Sequence, residues 1–427
     1  MYNRLLVFFT KILIKILRAM GKNASALPGY ILEKLSPNFL TQVLEPVQDK
    51  IVLITGTNGK TTSTRMLVHA LRENGKRVVT NSTGSNMTRG LISAVVDDMS
   101  IWGSLRPTDW FVFEMDEAYA PVFTKGLRVK VVLALNVLRD QLDRYGEIDK
   151  TAQLIGEAAK KADIFVYNSH DPLLVKISSD LNELKVKTHS FGVVNKLTPK
   201  LKNEQNMFTQ DPVATEKPEF ALAKSEEKHN RQQIRVQSVD DEVEAELKLS
   251  GLHNGLNATA AFALLAQLEP SEYKKIFVAI KTMHPPFGRG EKLSLNNKMV
   301  TVALVKNPSG FTHNLETFVQ ERSPEHILFI VNDKLADGRD VSWLWDVDFK
   351  GVIRSKTKIT CSGLRAYDIA LRLKHDGYQA EVELNVEKAV DILMSGNEKE
   401  AVIIPTYTAL YEARAALSNY GEVPRIW

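Results

Sequence analysis

Short apolar runs punctuate this chain, and the stretches between them carry apolar residues at helical spacing. The runs at 51–54, 78–81, 110–113, 131–136 and 164–168 are too short for buried helices and are almost unbroken by charge. Such runs predict strands buried on both faces of a parallel sheet. Helical spacing follows at 66–71 and 151–162, and an alanine-rich helix is predicted over 258–268. Strands alternating with helices make a doubly wound α/β fold. The rhythm resumes at 300–305, 326–331, 358–361 and 401–404, which predicts a second, smaller α/β domain. Between these blocks, residues 196–240 are polar, lysine-rich and without period, and read as an insert at the domain's edge.

The first twenty residues form a different pattern. Lys11, Lys15 and Arg18 share one side of a predicted helix, with Leu13, Ile16, Leu17 and Met20 around the rest of the turn. The charges break the run too often for a signal peptide or a bilayer span. Two readings stay open, and they are compatible. The helix can lie on an anionic membrane surface, or it can pack its apolar face onto the next domain.

Length and composition narrow the choice. A chain of 427 residues holds two or three domains, here expected at 1–47 (helical), 48–288 and 289–427. With 55 Lys+Arg against 51 Asp+Glu, the net charge of +4 is too balanced to argue for nucleic acid. One cysteine, Cys361, excludes a disulfide framework and a Cys-based zinc site within one chain, and fits a reducing cytoplasm. It reads as a buried structural residue, since no histidine lies near it in sequence.

The candidate chemistry starts where the first strand breaks, at Gly56-Thr57-Asn58-Gly59-Lys60-Thr61-Thr62. Strand, glycine loop and helix form the context of a phosphate-binding loop, in which backbone N–H groups and a helix N-terminus surround an anion. Lys60 can reach terminal phosphates and the Thr61 hydroxyl can hold Mg²⁺. The longer phosphate-loop spacing would need glycine at position 54, which is Ile54. Glu114 ends the 110–113 strand, on the side where open α/β sheets place ligands, and is the candidate for a second metal contact. His253, Asn254 and Asn257 open the alanine-rich helix. Capping explains one asparagine; the group can also hydrogen-bond a base edge. Residues 284–289 read as a hinge.

Taken together, this loop, Glu114, Asn136 with Asp140, Leu142, Asp143 and Gly146, the GLHNGLN helix start and Gly288-Arg289 resemble the Mur ligase superfamily. More finely, LRDQLDRYGEID, PPFGRGE, LVKNPSGF, NDKLADGRDVSWLWDVDF, SGLRAYDIALRLK and PTYTAL resemble the MurT family, the ligase-like subunits of lipid II isoglutaminyl synthases. The resemblance implies a Mur ligase-like ATP-binding domain followed by a C-terminal domain that meets a glutaminase. It implies ATP and Mg²⁺, and no zinc, because this chain lacks the cysteines of a ribbon. The implied reaction activates the α-carboxylate of D-glutamate in the lipid II stem peptide as an acyl phosphate. Ammonia then comes from a GatD-like glutamine amidotransferase in a heterodimer. By the same resemblance Lys60 and Thr61 serve phosphate and Mg²⁺, Glu114 the second metal, and Asn254 and Asn257 the adenine, while Arg289 and Lys306 close on the phosphates. Asp346 would complete the glutaminase's Cys–His pair, with Asp348 and Asp340 as alternatives. The plainer reading of that segment is a capped turn with buried tryptophans. Two other functions compete: an amino-acid-adding ligase of tripeptide or folylpolyglutamate type, and a nucleotide-gated scaffold. Gln141 in place of a ligase histidine, and no lysine near Ile155, speak against the first. The intact loop and Glu114 speak against the second.

Overall fold

The computed structural model describes residues 2–20, 26–81, 86–138, 148–198, 217–228, 231–284 and 288–424. The Asp140–Gly146 motif and Pro285–Phe287 of the expected hinge lie outside the described residues. The chain forms two compact units. The first takes the described residues up to Leu138, then those of Glu147–Lys248 and Leu252–Met283; the second takes Leu249–Gly251 and those from His284 onward.

In the first unit the strands are β1 (Ile51–Thr55), β2 (Val78–Thr80), β3 (Trp110–Glu114), β4 (Val129–Ala134), β5 (Ala162–Asn168), β6 (Lys187–Val193), β7 (Phe220–Lys228), β8 (Arg231–Gln237) and β9 (Glu242–Leu247). Its helices are α1 (Tyr2–Ala19), α2 (Leu27–Leu35), α3 (Phe39–Leu44), α4 (Lys60–Glu73), α5 (Thr88–Asp98), α6 (Ala120–Thr124), α7 (Ile148–Ala159), α8 (Pro172–Glu183), α9 (Leu252–Leu268) and α10 (Tyr273–Val278). The sheet order is β2-β3-β1-β4-β5-β6-β7-β8-β9. β1 pairs in parallel with β3 on one side and β4 on the other. The order reverses there, so the end of β1 is a switch point where such sheets bind ligands. All five residues of β1 are buried, as an unbroken apolar run requires.

Two expectations need correction. The helix after the glycine loop begins at Lys60, not near Met66, because Lys60–Arg65 form its polar first turns and show no apolar period. The segment expected as an aperiodic insert holds all of β7 and β8; β7 pairs in parallel with β6, and β7, β8 and β9 then continue the sheet as antiparallel neighbours. In β8 the buried positions are Gln232, Ile234 and Val236. One is polar, its amide nitrogen donating to Ser225 Oγ at 2.7 Å, and that glutamine hides the two-residue alternation.

Helix α1 is where the packing reading applies. Val7, Ile14 and Leu17 are buried against the unit. Lys11 Nζ donates to the carbonyls of Val96, Asp97 and Met99 at 2.8, 2.8 and 2.7 Å, which places a cation on the negative end of α5. Burial pushes the Lys11 pKa down, and Asp97 opposes that. Arg18 forks onto Asp97 at 3.2 and 2.9 Å. No helix among the described residues is long and apolar enough to cross a membrane.

The second unit has β10 (Arg289–Leu295), β11 (Lys298–Ala303), β12 (His326–Ile330), β13 (Lys358–Ser362), β14 (Glu381–Val382) and β15 (Glu400–Pro405) in the order β10-β11-β15-β12-β13-β14. Its helices are α11 (Pro308–Asn314), α12 (Ala366–His375), α13 (Val386–Ser395) and α14 (Tyr407–Leu417). Arg289, expected in a hinge, opens β10 and pairs with Ala303. The β10–β11 hairpin turns on Asn296 and Asn297, both at positive φ (44° and 63°), as a two-residue hairpin asks.

Candidate active site

The chain leaves the sheet at Gly56, whose φ is +120°. A Cβ there would come within 2.9 Å of the backbone nitrogens of Leu135 and Asn136, so glycine is required. The loop is held by Asn136, two residues past the end of β4. Asn136 accepts from Thr57 N through its carbonyl (3.0 Å) and from Asn58 N through Oδ1 (2.8 Å), while its Nδ2 donates to Asn58 O (3.1 Å). Thr57 Oγ1 donates to Leu138 O at 3.2 Å and accepts from Leu138 N at 3.0 Å. Behind them, Asn168 Nδ2 donates to Leu135 O at 3.1 Å, and Asp171 Oδ2 accepts from Val137 N at 2.6 Å. Two layers of polar side chains therefore fix the loop's outline.

Gly59, at φ +88°, precedes the first turn of α4. A Cβ at this position would collide with the Asn257 side chain. α9 begins at Leu252, so Asn254 and Asn257 sit one turn apart and both are buried. Asn257 Nδ2 donates to Asn254 Oδ1 at 3.4 Å. The structure thus brings Asn257 against the glycine loop, with Asn254 beside it.

Lys60 arches over the loop. Its Nζ donates to Gly56 O at 2.5 Å and Thr57 O at 3.3 Å, and pairs with Glu117 Oε1 at 3.2 Å. Glu117 is almost wholly enclosed; burial pushes its carboxyl pKa up and Lys60 pulls it back. Thr61 Oγ1 donates to Glu114 Oε1 at 3.0 Å. Asn81, just past β2, fixes the Glu114 backbone, accepting from its N–H (2.9 Å) and donating to its carbonyl (2.7 Å).

A hydroxyl and a carboxylate oxygen therefore meet at the mouth of the loop. This donor set fits Mg²⁺, which takes one or two carboxylates and completes its shell with water and phosphate oxygens. No group of three His, Cys, Asp or Glu suited to a metal occurs among the described residues. Asn136, Asn81, Glu117 and Asp171 had no assigned role in the sequence. Asn136 and Asn81 each stand at a strand's end, but only the sheet order shows what they hold.

Arg289, Lys306 and Asp346 lie in the second unit. Lys306 Nζ stands 5.5 Å from the centroid of the Tyr407 ring. Asp346 ends a short 3₁₀ turn, Ser342–Asp346. The alternatives on either side stabilise their own turns: Asp340 Oδ1 accepts from Ser342 N at 2.8 Å, and Asp348 Oδ1 from Lys350 N at 3.0 Å. Beneath the segment, buried Arg372 donates to Val347 O at 2.6 Å and pairs with Asp376 at 2.8 Å. Asp376 in turn accepts from Phe349 N at 3.2 Å. The Arg372 guanidinium also lies 5.5 Å from the Trp345 and Phe349 ring centroids. Trp345 is 49% exposed, contrary to the buried tryptophans of the plainer reading, with its ring set against Arg372 and edge-on to exposed His375. The turn carrying Asp346 is held from below through Arg372, and Asp346 itself is half-buried.

Residues 54–265 match the family described as the Mur ligase middle domain, and residues 304–410 the family described as MurT ligase C-terminal. The chain is 30% identical over 427 residues to the lipid II isoglutaminyl synthase (glutamine-hydrolysing) subunit MurT of Staphylococcus aureus, with 95% of each chain covered. It is 29% identical to the subunit of the same name from Streptococcus pneumoniae, over 95% of this chain and 94% of that one. Among solved structures, MurF from Acinetobacter baumannii superposes with a TM-score of 0.68 at 15% identity, covering 88% of this chain and 80% of that one. That likeness establishes the fold. The chain belongs to the Mur ligase superfamily of ATP-dependent ligases and, within it, to the MurT family.

Proposed function

We propose that this chain is the synthetase subunit of a two-chain enzyme that amidates the α-carboxylate of D-glutamate in the lipid II stem peptide, giving D-isoglutamine. The observation that carries the reading is the meeting of the Thr61 hydroxyl and the Glu114 carboxylate at a phosphate loop roofed by Lys60. The names of its full-length relatives supply the substrate. In this reading residues 1–47 form a helical lead-in, 48–288 bind ATP, and 289–427 meet the partner.

A carboxylate does not exchange oxide for ammonia at neutral pH. One of its oxygens attacks the γ-phosphorus of ATP and ADP departs, leaving an acyl phosphate. The ammonia lone pair then attacks the acyl carbon, the bond to the phosphate oxygen breaks, and phosphate leaves with that electron pair. Nitrogen loses a proton to give the neutral amide. The loop N–H groups and Lys60 stabilise charge spreading over the transferred group. Thr61 and Glu114 would hold Mg²⁺, which neutralises phosphate charge when bound. Arg289 and Lys306 close on the phosphates from the C-terminal side, and Asn254 and Asn257 meet the adenine. Closure keeps water from the acyl phosphate. ATP is supplied in the cytoplasm, and the ammonia comes from a GatD-like glutaminase bound as a heterodimer.

Asp346 acts through that partner. A histidine that relays a proton to and from a cysteine nucleophile needs a carboxylate to fix its tautomer and support its charged form. The test uses the co-purified pair and a lipid II analogue. Asp346→Asn is expected to cut glutamine-dependent amidation by ~100-fold or more, while free ammonium restores turnover, since the two sites are separate. Failure of ammonium to rescue would assign Asp346 to the synthetase site or to folding. Normal glutamine use would move the role to Asp348, then Asp340. If the pair adds an amino acid and ignores ammonia, the chain is an amino-acid-adding ligase.

A further inference from the structure

Helix α1 carries two apolar stripes, and the fold covers only one. Val7, Ile14 and Leu17 point into the unit, whereas Leu5, Phe8, Phe9, Ile12, Ile16 and Met20 are exposed, Phe9 at 63% and Met20 at 60%. At about 100° per residue these six fall on one broad outward arc. The basic residues Arg4, Lys11, Lys15 and Arg18 fall within about 60° of one another, along the seam between the buried and the exposed arcs. Lys11 reaches in to the end of α5, and Arg18 pairs with Asp97 of α5 at the surface. Arg4 and Lys15 stay exposed beside the apolar arc. A Cβ added at Gly103, in the loop after α5, would meet the Arg4 Cα at 3.5 Å, and the neighbouring Trp102 is 75% exposed.

We propose that this outward face of α1 docks onto the surface of an anionic phospholipid bilayer, lying in the interface plane. Charge complementarity selects that occupant. Up to Leu44 the chain carries Arg4, Lys11, Lys15, Arg18, Lys22 and Lys34 against Glu33 as its one acidic side chain. Apolar side chains at the acyl boundary flanked by lysine and arginine at headgroup level are the pattern of an interfacial helix. Each basic residue gains from the surface potential of anionic lipid. A tryptophan at the rim suits the same depth. A second copy fits less well, because an antiparallel two-fold pairing of this arc would bring the basic flanks of both copies together. The inference goes beyond the amidation reading and does not depend on it.

The experiment is co-sedimentation of the full chain with vesicles of phosphatidylcholine holding about one-third phosphatidylglycerol, and with phosphatidylcholine alone. Binding is expected to the anionic vesicles and to weaken with salt. Phe9→Ser with Ile16→Ser removes two outward side chains, the Phe9 ring meeting only its exposed neighbour Phe8 edge-on at 5.7 Å among the ring contacts described; it should lower partitioning by ~10-fold or more with the thermal melt little changed. Lys15→Glu should weaken binding to the anionic vesicles while leaving the neutral ones unaffected. Absent binding of the wild-type chain, or equal binding by the double variant, overturns the proposal. So does a dimer in light scattering that the double variant abolishes, since the face would then belong to a second copy. Ammonium-dependent turnover of a water-soluble stem-peptide substrate tests the amidation reading separately.

Discussion

Lys60 shows how little of a site a motif contains. The residue types of a phosphate loop are legible because the chemistry demands them: small residues where backbone must face an anion, a lysine to reach it, a hydroxyl for the metal. What holds Lys60 is not legible. Its partner Glu117 lies 57 positions away in sequence, in an acidic stretch that reads equally well as a solvated loop. Glu114 was identifiable because it ends an apolar strand; Glu117 has no such marker. Asn136 clamps the loop from 78 positions away, and that approach exists only once β1 and β4 are paired. Lys60→Ala removes a side chain that bonds loop carbonyls and Glu117 and packs in no apolar core. Phosphate release from ATP should fall ~100-fold or more while the circular dichroism spectrum is retained. Near-normal turnover in the folded variant would remove the loop from catalysis.

Among the elements, those with a clean period were legible. β1, β3, β4 and β5 are apolar runs buried on both faces, and sequence pattern finds such strands. β8 was missed because a buried glutamine interrupts its alternation, and β7 because its outer half is charged and exposed. α4 starts earlier than its pattern because Lys60–Arg65 are all polar, so its first turns show no apolar period even where Thr62, Ser63 and Thr64 are buried. The N-cap of α8 carries its own prediction. Asp171 Oδ1 accepts from Leu173 N and Leu174 N at 3.0 and 3.3 Å, and its other oxygen from Val137 N. Burial nevertheless pushes this carboxyl up to about 6 from 3.8, the backbone bonds opposing it. A raised carboxyl favours the protonated fold. Its stabilising contribution is complete below about pH 3.8 and is lost as pH rises through about 6. The full swing is on the order of 3 kcal/mol. Urea unfolding of wild type and Asp171→Asn across this range should show the wild type losing ground between about pH 4 and 6 and a constant difference above. A difference independent of pH would show that Asp171 titrates alike in both states.

At the scale of the molecule, two units with separate cores should give two unfolding transitions in calorimetry. A non-hydrolysable ATP analogue with Mg²⁺ at about 100 times its Kd should stabilise the unit that holds the glycine loop by about 2.7 kcal/mol. The Lys60→Ala variant should lose most of that shift. Movement of both transitions together would indicate that Arg289 and Lys306 engage the bound nucleotide as well. The whole chain also carries a single thiol. Cys361 sits on β13 with no measurable exposure, and burial alone pushes its pKa up to about 12. At neutral pH it is neither ionised nor reachable, and alkylating agents act on accessible thiolate. The folded chain is therefore silent to iodoacetamide and to similar electrophiles. Labelling stoichiometry on this chain together with a partner subunit then counts the partner's reactive thiols alone, with no background from this chain.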